Sequence, residues 1–292
     1  MYLQGDFRMK KQQLFITLAI VVMAIVLSAC TGASAATRVS SGSGIPEITI
    51  TAKDYGFEAP EELQAGLVTI NLVNEGQEPH HAQLVRLNDG VTLEQFNAAL
   101  QEGEAAAFPL VNFIGGPGLV DPGLANQVTV ELTPGQYLVM CFVPSHDGVP
   151  HLAKGMIKPI NVVAATEQAN VARPKADATV KLLDFSFILP SEIKAGKQVW
   201  QVVNEGEQIH EIMFIKLAEG KSIADVQAFQ KAPHGVPPFK SIGGFQALTP
   251  GQTGWLNLDL EPGDYVALCY VPDPASGHAH LELGMIMPFS VK

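Results

Sequence analysis

Between residues 46 and 164 apolar and polar positions alternate in short runs. ITITAKDYGF, LVTINLVN, HAQLVRL, QVTVELTPG and QYLVMCFV alternate or run apolar, favour β-branched residues and are punctuated by Pro and Gly. That is the pattern of short strands with one buried face. One stretch breaks the period of two. VTLEQFNAALQ, opened by Thr92 and then Gln95, has the capping-box signature of a helix start. The same succession returns after residue 176, where Ser222 and Asp225 open the helical SIADVQAFQ.

Laying the chain on itself makes the return explicit. DYGFEAPEELQAG from Asp54 matches DFSFILPSEIKAG from Asp184, and LVNEGQEPHHAQLVRL matches VVNEGEQIHEIMFIKL. LTPGQYLVMCFVP likewise matches LEPGDYVALCYVP, and HLAKGMIKP matches HLELGMIMP. The offset stays at 128 to 130 residues, so a whole domain is duplicated rather than a short solenoid unit. The expected organisation is a first domain over 46–164, a polar linker ATEQANVARPKA over 165–176, and a second domain over 177–292. Many short strands in so few residues imply an all-β fold of two tandem Greek-key β-sandwiches, each with one short helical insertion. The linker suggests that each half, cut near Arg173, folds alone.

The first residues belong to neither copy. Arg8, Lys10 and Lys11 precede sixteen mostly apolar residues from Leu14 to Ala29, a charged front and a greasy middle ending in small residues, as in an export signal. The run is short for a spanning helix, which needs about 20 apolar positions. Its end, LSAC, resembles the lipobox of bacterial lipoproteins. That resemblance implies a signal peptide over 1–29, lipid on Cys30, and a flexible tether over 30–45. The protein would then sit outside the cytoplasm, on the cell surface or the periplasmic face, held to a membrane by its lipid.

The chain has three cysteines. With Cys30 assigned to lipid, Cys141 and Cys269 remain at matching points of separate copies and read as independent thiols rather than a disulfide. Residues 1–29 hold three basic residues and one acidic, so their removal deepens the formal charge from −11 to −13. No basic patch offsets it, which argues against nucleic acid and would steer a basic protein partner.

The candidate chemistry is a ligand set written twice: His80, Cys141, His151 and Met156, then His210, Cys269, His280 and Met285. Two imidazoles, one thiolate and a weak axial thioether suit both oxidation states of copper, up to one ion per copy. Each Cys ends a strand, and the His and Met follow on one loop. The early His arrives from another strand after the NEG turn. In these features the chain resembles the cupredoxins, the family of plastocyanin, azurin and the domains of copper nitrite reductases and multicopper oxidases. The carriers are VNEGQEPH and VNEGEQIH, TPGQYLVMC and EPGDYVALC, and the two Cys…His-x4-Met loops.

The resemblance implies thiolate, imidazole and axial roles for those eight residues, and one-electron transfer as the function. It also implies electron passage near His151 and His280, flanked by apolar Pro150, Leu152, Ala279 and Leu281. Two features depart from the family. Nine and ten residues separate Cys from His, where the small cupredoxins have two to four. His81 and Glu211 also stand where the family often has an Asn that ties down the cysteine loop. Alternation points His81 away from the ligand face, toward solvent. His146 and His278 lie within the loops as potential competitors, and His234 lies in an exposed Pro-rich stretch.

Among functions, an oxidase or reductase is disfavoured, because those enzymes wire the thiolate copper through a His beside the Cys, and here Met140, Phe142, Leu268 and Tyr270 flank it. A copper carrier or store, with open exchangeable sites, and a metal-free interaction module are the alternatives. The expected function is therefore a membrane-tethered electron carrier that is not an enzyme.

Overall fold

The computed structural model describes residues 44–166, 171–232 and 235–292. The apolar leader, Cys30, most of the tether, part of the linker and His234 lie outside them. Among the described residues no helix is long and apolar enough to cross a membrane.

Two sheets face each other. One has eight strands in the order 186–188, 178–183, 196–204, 253–260, 125–132, 66–74, 47–53 and 56–58. The other has nine, in the order 286–291, 263–268, 210–217, 239–248, 111–115, 83–87, 135–140, 157–163 and 62–64. The all-β class, the sandwich in each copy and the helical insertions are as the sequence implies. Thr92 and Ser222 each close a capping box, over the helices Leu93–Glu102 and Ile223–Lys231. In both helices one apolar side chain, Phe96 or Val226, is buried.

The two copies are not beads on a linker: both sheets run through the boundary. Ala125–Leu132 pairs antiparallel with its own equivalent, Thr253–Leu260, through Trp255 with Thr129, Leu256 with Val128 and Asn257 with Gln127. Val128 and Leu256 are equivalent at an offset of 128, so a local two-fold axis passes between them. The other sheet obeys the same axis. Leu248 pairs with Ile114, Ile242 with Val120, and the equivalent residues Pro117 and Phe245 face each other. Such self-complementary pairing is what a two-fold contact requires.

Buried side chains close the seam. The Gln83 amide donates to the carbonyls of Gly115 and Ala247 and accepts from the Ala247 N–H. Phe245 fills the space over Gly115 and Gly254, where an added Cβ would lie 2.2 and 2.1 Å from its ring. One apolar core includes Ile70, Val128 and Tyr137 of the first copy with Trp200, Phe245 and Leu256 of the second. Arg173 also bridges the copies, paired with Glu131 at 2.8 Å and lying over the Trp255 ring. The shared sheets and core weigh against the expectation that each half folds alone.

Candidate metal centres

Each copy builds its site from four places in the chain. The strand Gly135–Met140 delivers Cys141 at its end, and Gly263–Leu268 delivers Cys269. After nine or ten intervening residues the chain forms one turn of 3-10 helix, His151–Lys154 or His280–Leu283, stopped by Gly155 (φ 103°) or Gly284 (φ 116°). The stop needs a left-handed residue, which Gly supplies without strain. The His-x4-Met spacing is the geometry of that turn: His is its first residue and Met follows the glycine. The N–H of Met156 donates to the His151 carbonyl, and the Cys141 N–H donates to the Met156 carbonyl. The second copy repeats both bonds.

The long loops do not displace the ligands. Residues 144–150 close on themselves through Ser145, Asp147 and Val149, and residues 272–279 close through Asp273 and Ser276. Each extra segment is a self-contained turn that returns its His to the cysteine.

His80 and His210 follow a turn whose residues are explained by the site. The Asn74 amide donates to the carbonyls of Glu78 and Val120 while its oxygen accepts from the Gly76 N–H, and Asn204 acts alike. Gly76 and Gly206 allow close approach: a Cβ there would lie 2.6 Å from His80 Nε2 or 2.8 Å from His210 Nε2.

The structure brings His80, Cys141 and His151 into one buried group and His210, Cys269 and His280 into another. In each, the two Nδ1 atoms are 3.0 Å apart. Cys141 Sγ lies 3.5 Å from His151 Nδ1 and 3.9 Å from that of His80, and Cys269 Sγ lies 3.5 Å from His280 Nδ1. Met156 and Met285 are fully buried, their backbones bonded to Cys and His.

The hydrogen bonds behind the rings fix what the rings present. His80 Nε2–H donates to Asp54 at 3.2 Å and His151 Nε2–H to Glu78 at 2.6 Å. His210 Nε2–H donates to Asp184 at 2.8 Å, and His280 Nε2–H to the Gln208 oxygen at 2.9 Å. These partners act as acceptors, so each ring gives its Nε2–H outward and turns its Nδ1 inward. Burial lowers the pKa of His80 and His210, and takes His280 down to about 4, so these rings are neutral at pH 7. Two lone pairs and a sulfur converging at hydrogen-bond distance suit a cation. Burial pushes the Cys141 thiol up to about 12 and raises Cys269 as well, so a bound cation is what would hold them as thiolates. The residues fit copper, one ion per copy. Both groups hold the two imidazoles and one thiol that the sequence resemblance implies.

His151 and His280 are fully buried. Tyr55 and Phe185 cover them, each ring edge-on to the imidazole at 5.3 Å. Both aromatics take a left-handed backbone, φ 65° and 62°, a strain of about 1–3 kcal/mol that persists where surroundings enforce it. His81 is buried rather than solvent-facing. Its Nε2 accepts the Phe142 N–H, and Glu211 accepts the Tyr270 N–H, so both ties to the cysteine loop are made without the Asn. Burial depresses the His81 pKa to about 3 and raises Glu211 to about 7. His146 and His278 are mostly exposed and outside both groups.

Sequence reasoning missed Asp54, Asp184, Tyr55 and Phe185. Their signal was present in the repeated Asp-aromatic pair of DYGF and DFSF.

No family model matches this chain, and no curated protein matches it. Solved structures do. A dithionite-reduced auracyanin from Roseiflexus castenholzii is 19% identical, aligned over 40% of this chain and 96% of its own, with a TM-score of 0.29. Auracyanin A of Chloroflexus aurantiacus, described as a "blue" copper protein, is 27% identical over 40% of this chain and 99% of its own, with a TM-score of 0.26. A copper nitrite reductase of Nitrosomonas europaea is 15% identical over 84% and 93%, with a TM-score of 0.24. At those TM-scores the likenesses assign no role to any residue here.

Proposed function

We propose that this chain is a membrane-tethered, extracytoplasmic electron carrier with one type 1 copper in each copy. The observation that carries the reading is the pair of buried groups in which two anchored imidazoles and a thiol converge. His80, Cys141 and His151, and His210, Cys269 and His280, would bind the metal, and Met156 and Met285 would supply a weak thioether donor. Copper bound there would supply one-electron exchange between Cu(I) and Cu(II).

The protein's own part is to hold the donors still. Asp54 fixes His80, the Phe142 N–H is tied to His81, and the Met156 carbonyl receives the Cys141 N–H. A ligand set held from behind has little room to rearrange between oxidation states. Tyr55 and Phe185 shut out water and favour retention, which weighs against a carrier that must release copper. The ligand set, intact in both copies, weighs against a metal-free module. Phe142 and Tyr270 beside the cysteines supply no imidazole toward a further copper, which supports a carrier over an oxidase. The charge of −13 on residues 30–292 suits a basic redox partner.

Copper-loaded protein should show an intense visible thiolate-to-copper band and two coppers per chain by metal analysis; histidine-only copper is pale, so a colourless loaded protein would sink the reading. Tethering is tested separately. Mass spectrometry of the native N-terminus should find acylated Cys30, and Cys30→Ser should release the protein from membranes, since stable anchoring takes more than one acyl chain. An intact leader would overturn that assignment.

A further inference from the structure

The two sites match residue for residue in their inner donors, yet they differ at several outer positions, and one of these pairs hydrogen-bonds a ligand ring directly. Glu78 and Gln208 occupy equivalent places, at an offset of 130. In the first copy the carboxylate of Glu78 itself receives His151 Nε2–H, at 2.6 Å, and the Glu78 side chain is 11% exposed. In the second copy the Gln208 oxygen receives His280 Nε2–H at 2.9 Å, and the Gln208 amide donates to Asp273 at 3.0 Å. That second bond fixes the amide's orientation, because a carboxylate accepts only the NH₂ end. Asp273 stands where the first copy has Ser145, four residues after the cysteine. The second copy has thus moved the carboxylate outward by one residue and inserted a neutral amide between it and the ligand ring.

The physical consequence concerns how much electron density each imidazole carries. A ring whose far N–H is held by a carboxylate is a more basic ligand than one held by an amide. Charge-assisted bonds are also shorter and roughly twice as strong as neutral ones, in keeping with 2.6 against 2.9 Å. A more basic ligand with a buried negative charge behind it stabilises the more highly charged oxidation state of a metal. We infer that Glu78 and Gln208 set the two sites at different reduction potentials, the first below the second, so that an electron exchanged between the copies would run downhill from the first to the second. The exchange is balanced within the chain: the first site is oxidised by one electron as the second is reduced by one, with no bond made or broken and no proton moved.

Other charges near the sites do not reproduce this difference. Asp54 and Asp184 hold the remaining imidazoles with the same kind of group, at 3.2 and 2.8 Å, and each is about a third exposed, so water screens both. Glu211 pushes the other way at the second site. It bonds the Tyr270 N–H rather than a ligand ring, so its effect reaches the metal only as a through-space charge.

The inference rests on the copper reading, and its test separates the two. In the full chain, Cys269→Ser isolates the first site's thiolate band and Cys141→Ser isolates the second. Redox titration of each band should give the lower midpoint for the first site. Glu78→Gln should raise the first midpoint, and Gln208→Glu, made together with Asp273→Ser so that no second carboxylate faces it, should lower the second, each by a tenfold change in equilibrium constant or more. For a one-electron couple that is 59 mV. Glu78→Asp, which keeps the charge, should stay nearer wild type than Glu78→Gln. All these variants should retain the band, because they leave the inner donors in place. Bands that persist while Glu78→Gln and the paired Gln208→Glu, Asp273→Ser variant leave the midpoints unmoved would overturn the inference and spare the copper reading, as would a first site that titrates above the second. A loaded wild type without any thiolate band would overturn both. Should Glu78→Gln fail to load, the paired second-site variant decides alone.

Discussion

Cys141→Ser abolishes the thiolate band of the first site and leaves that of the second, Cys269→Ser does the reverse, and the double variant is colourless. The expectation follows from which atoms can give the band. Each site has one sulfur that can bind as an anion, and it is the only group of its trio whose loss converts a thiolate site into a histidine site. Serine keeps the volume nearly unchanged, so the sandwich should survive: both cysteines end strands and are wholly buried. Burial raises both thiol pKa values, and a serine hydroxyl is a far weaker acid, so copper left on the imidazoles would be weakly coloured. Visible titration with copper reads both effects. If Cys141→Ser left the spectrum unchanged while Cys269→Ser erased it, only the second copy would hold copper through sulfur. Met156→Ala and Met285→Ala belong to a different class, since they remove a tuning ligand and should keep the colour.

The inner site was legible because its chemistry is local in the sequence. Cys, His and Met lie within one loop, and the turn between His151 and Met156 is set by a glycine that the spacing already displayed. Duplication sharpened it, since ligands recurred where their neighbours had changed. The outer site was less legible because its contacts join strands far apart in the chain. Asp54 reaches Gln77, Glu78 and His80 across 23 to 26 residues, and in the sequence it reads as a turn residue. Tyr55 reads as an ordinary hairpin aromatic until its ring is seen against His151. For His81, alternation rightly turned the ring away from the metal, but what lies there is not open solvent. His81, Glu211, Phe142 and Tyr270 line a cavity of about 660 Å³ to which both copies contribute. A pattern within one copy carries no information about the other copy packed against it.

Packing between the copies also governs what happens when the chain is divided. A cut between residues 166 and 171 should leave one particle, not two. The nicked chain should elute at the size of the intact protein, because both sheets and the core cross the boundary. Produced alone, residues 44–166 would expose the edge strand Ala125–Leu132 with its buried Val128, and Gln83 would lose its two bonds to Ala247. An open edge of that kind seeks another strand. Its partner in the intact protein is its own equivalent, antiparallel about a two-fold axis between Val128 and Leu256, so the available substitute is a second copy of the same half. Each half should therefore self-associate as a dimer or aggregate. Phe245→Ala attacks the same seam in the intact chain. It empties the space between Gly115 and Gly254 and should cost about 3–5 kcal/mol, the usual loss for a buried Phe, read as a lower midpoint in denaturant titration. Sedimentation of the separated halves is the sharper measurement: two folded, monomeric halves would mean that the continuous sheets contribute little, and that the polar linker was the better guide after all.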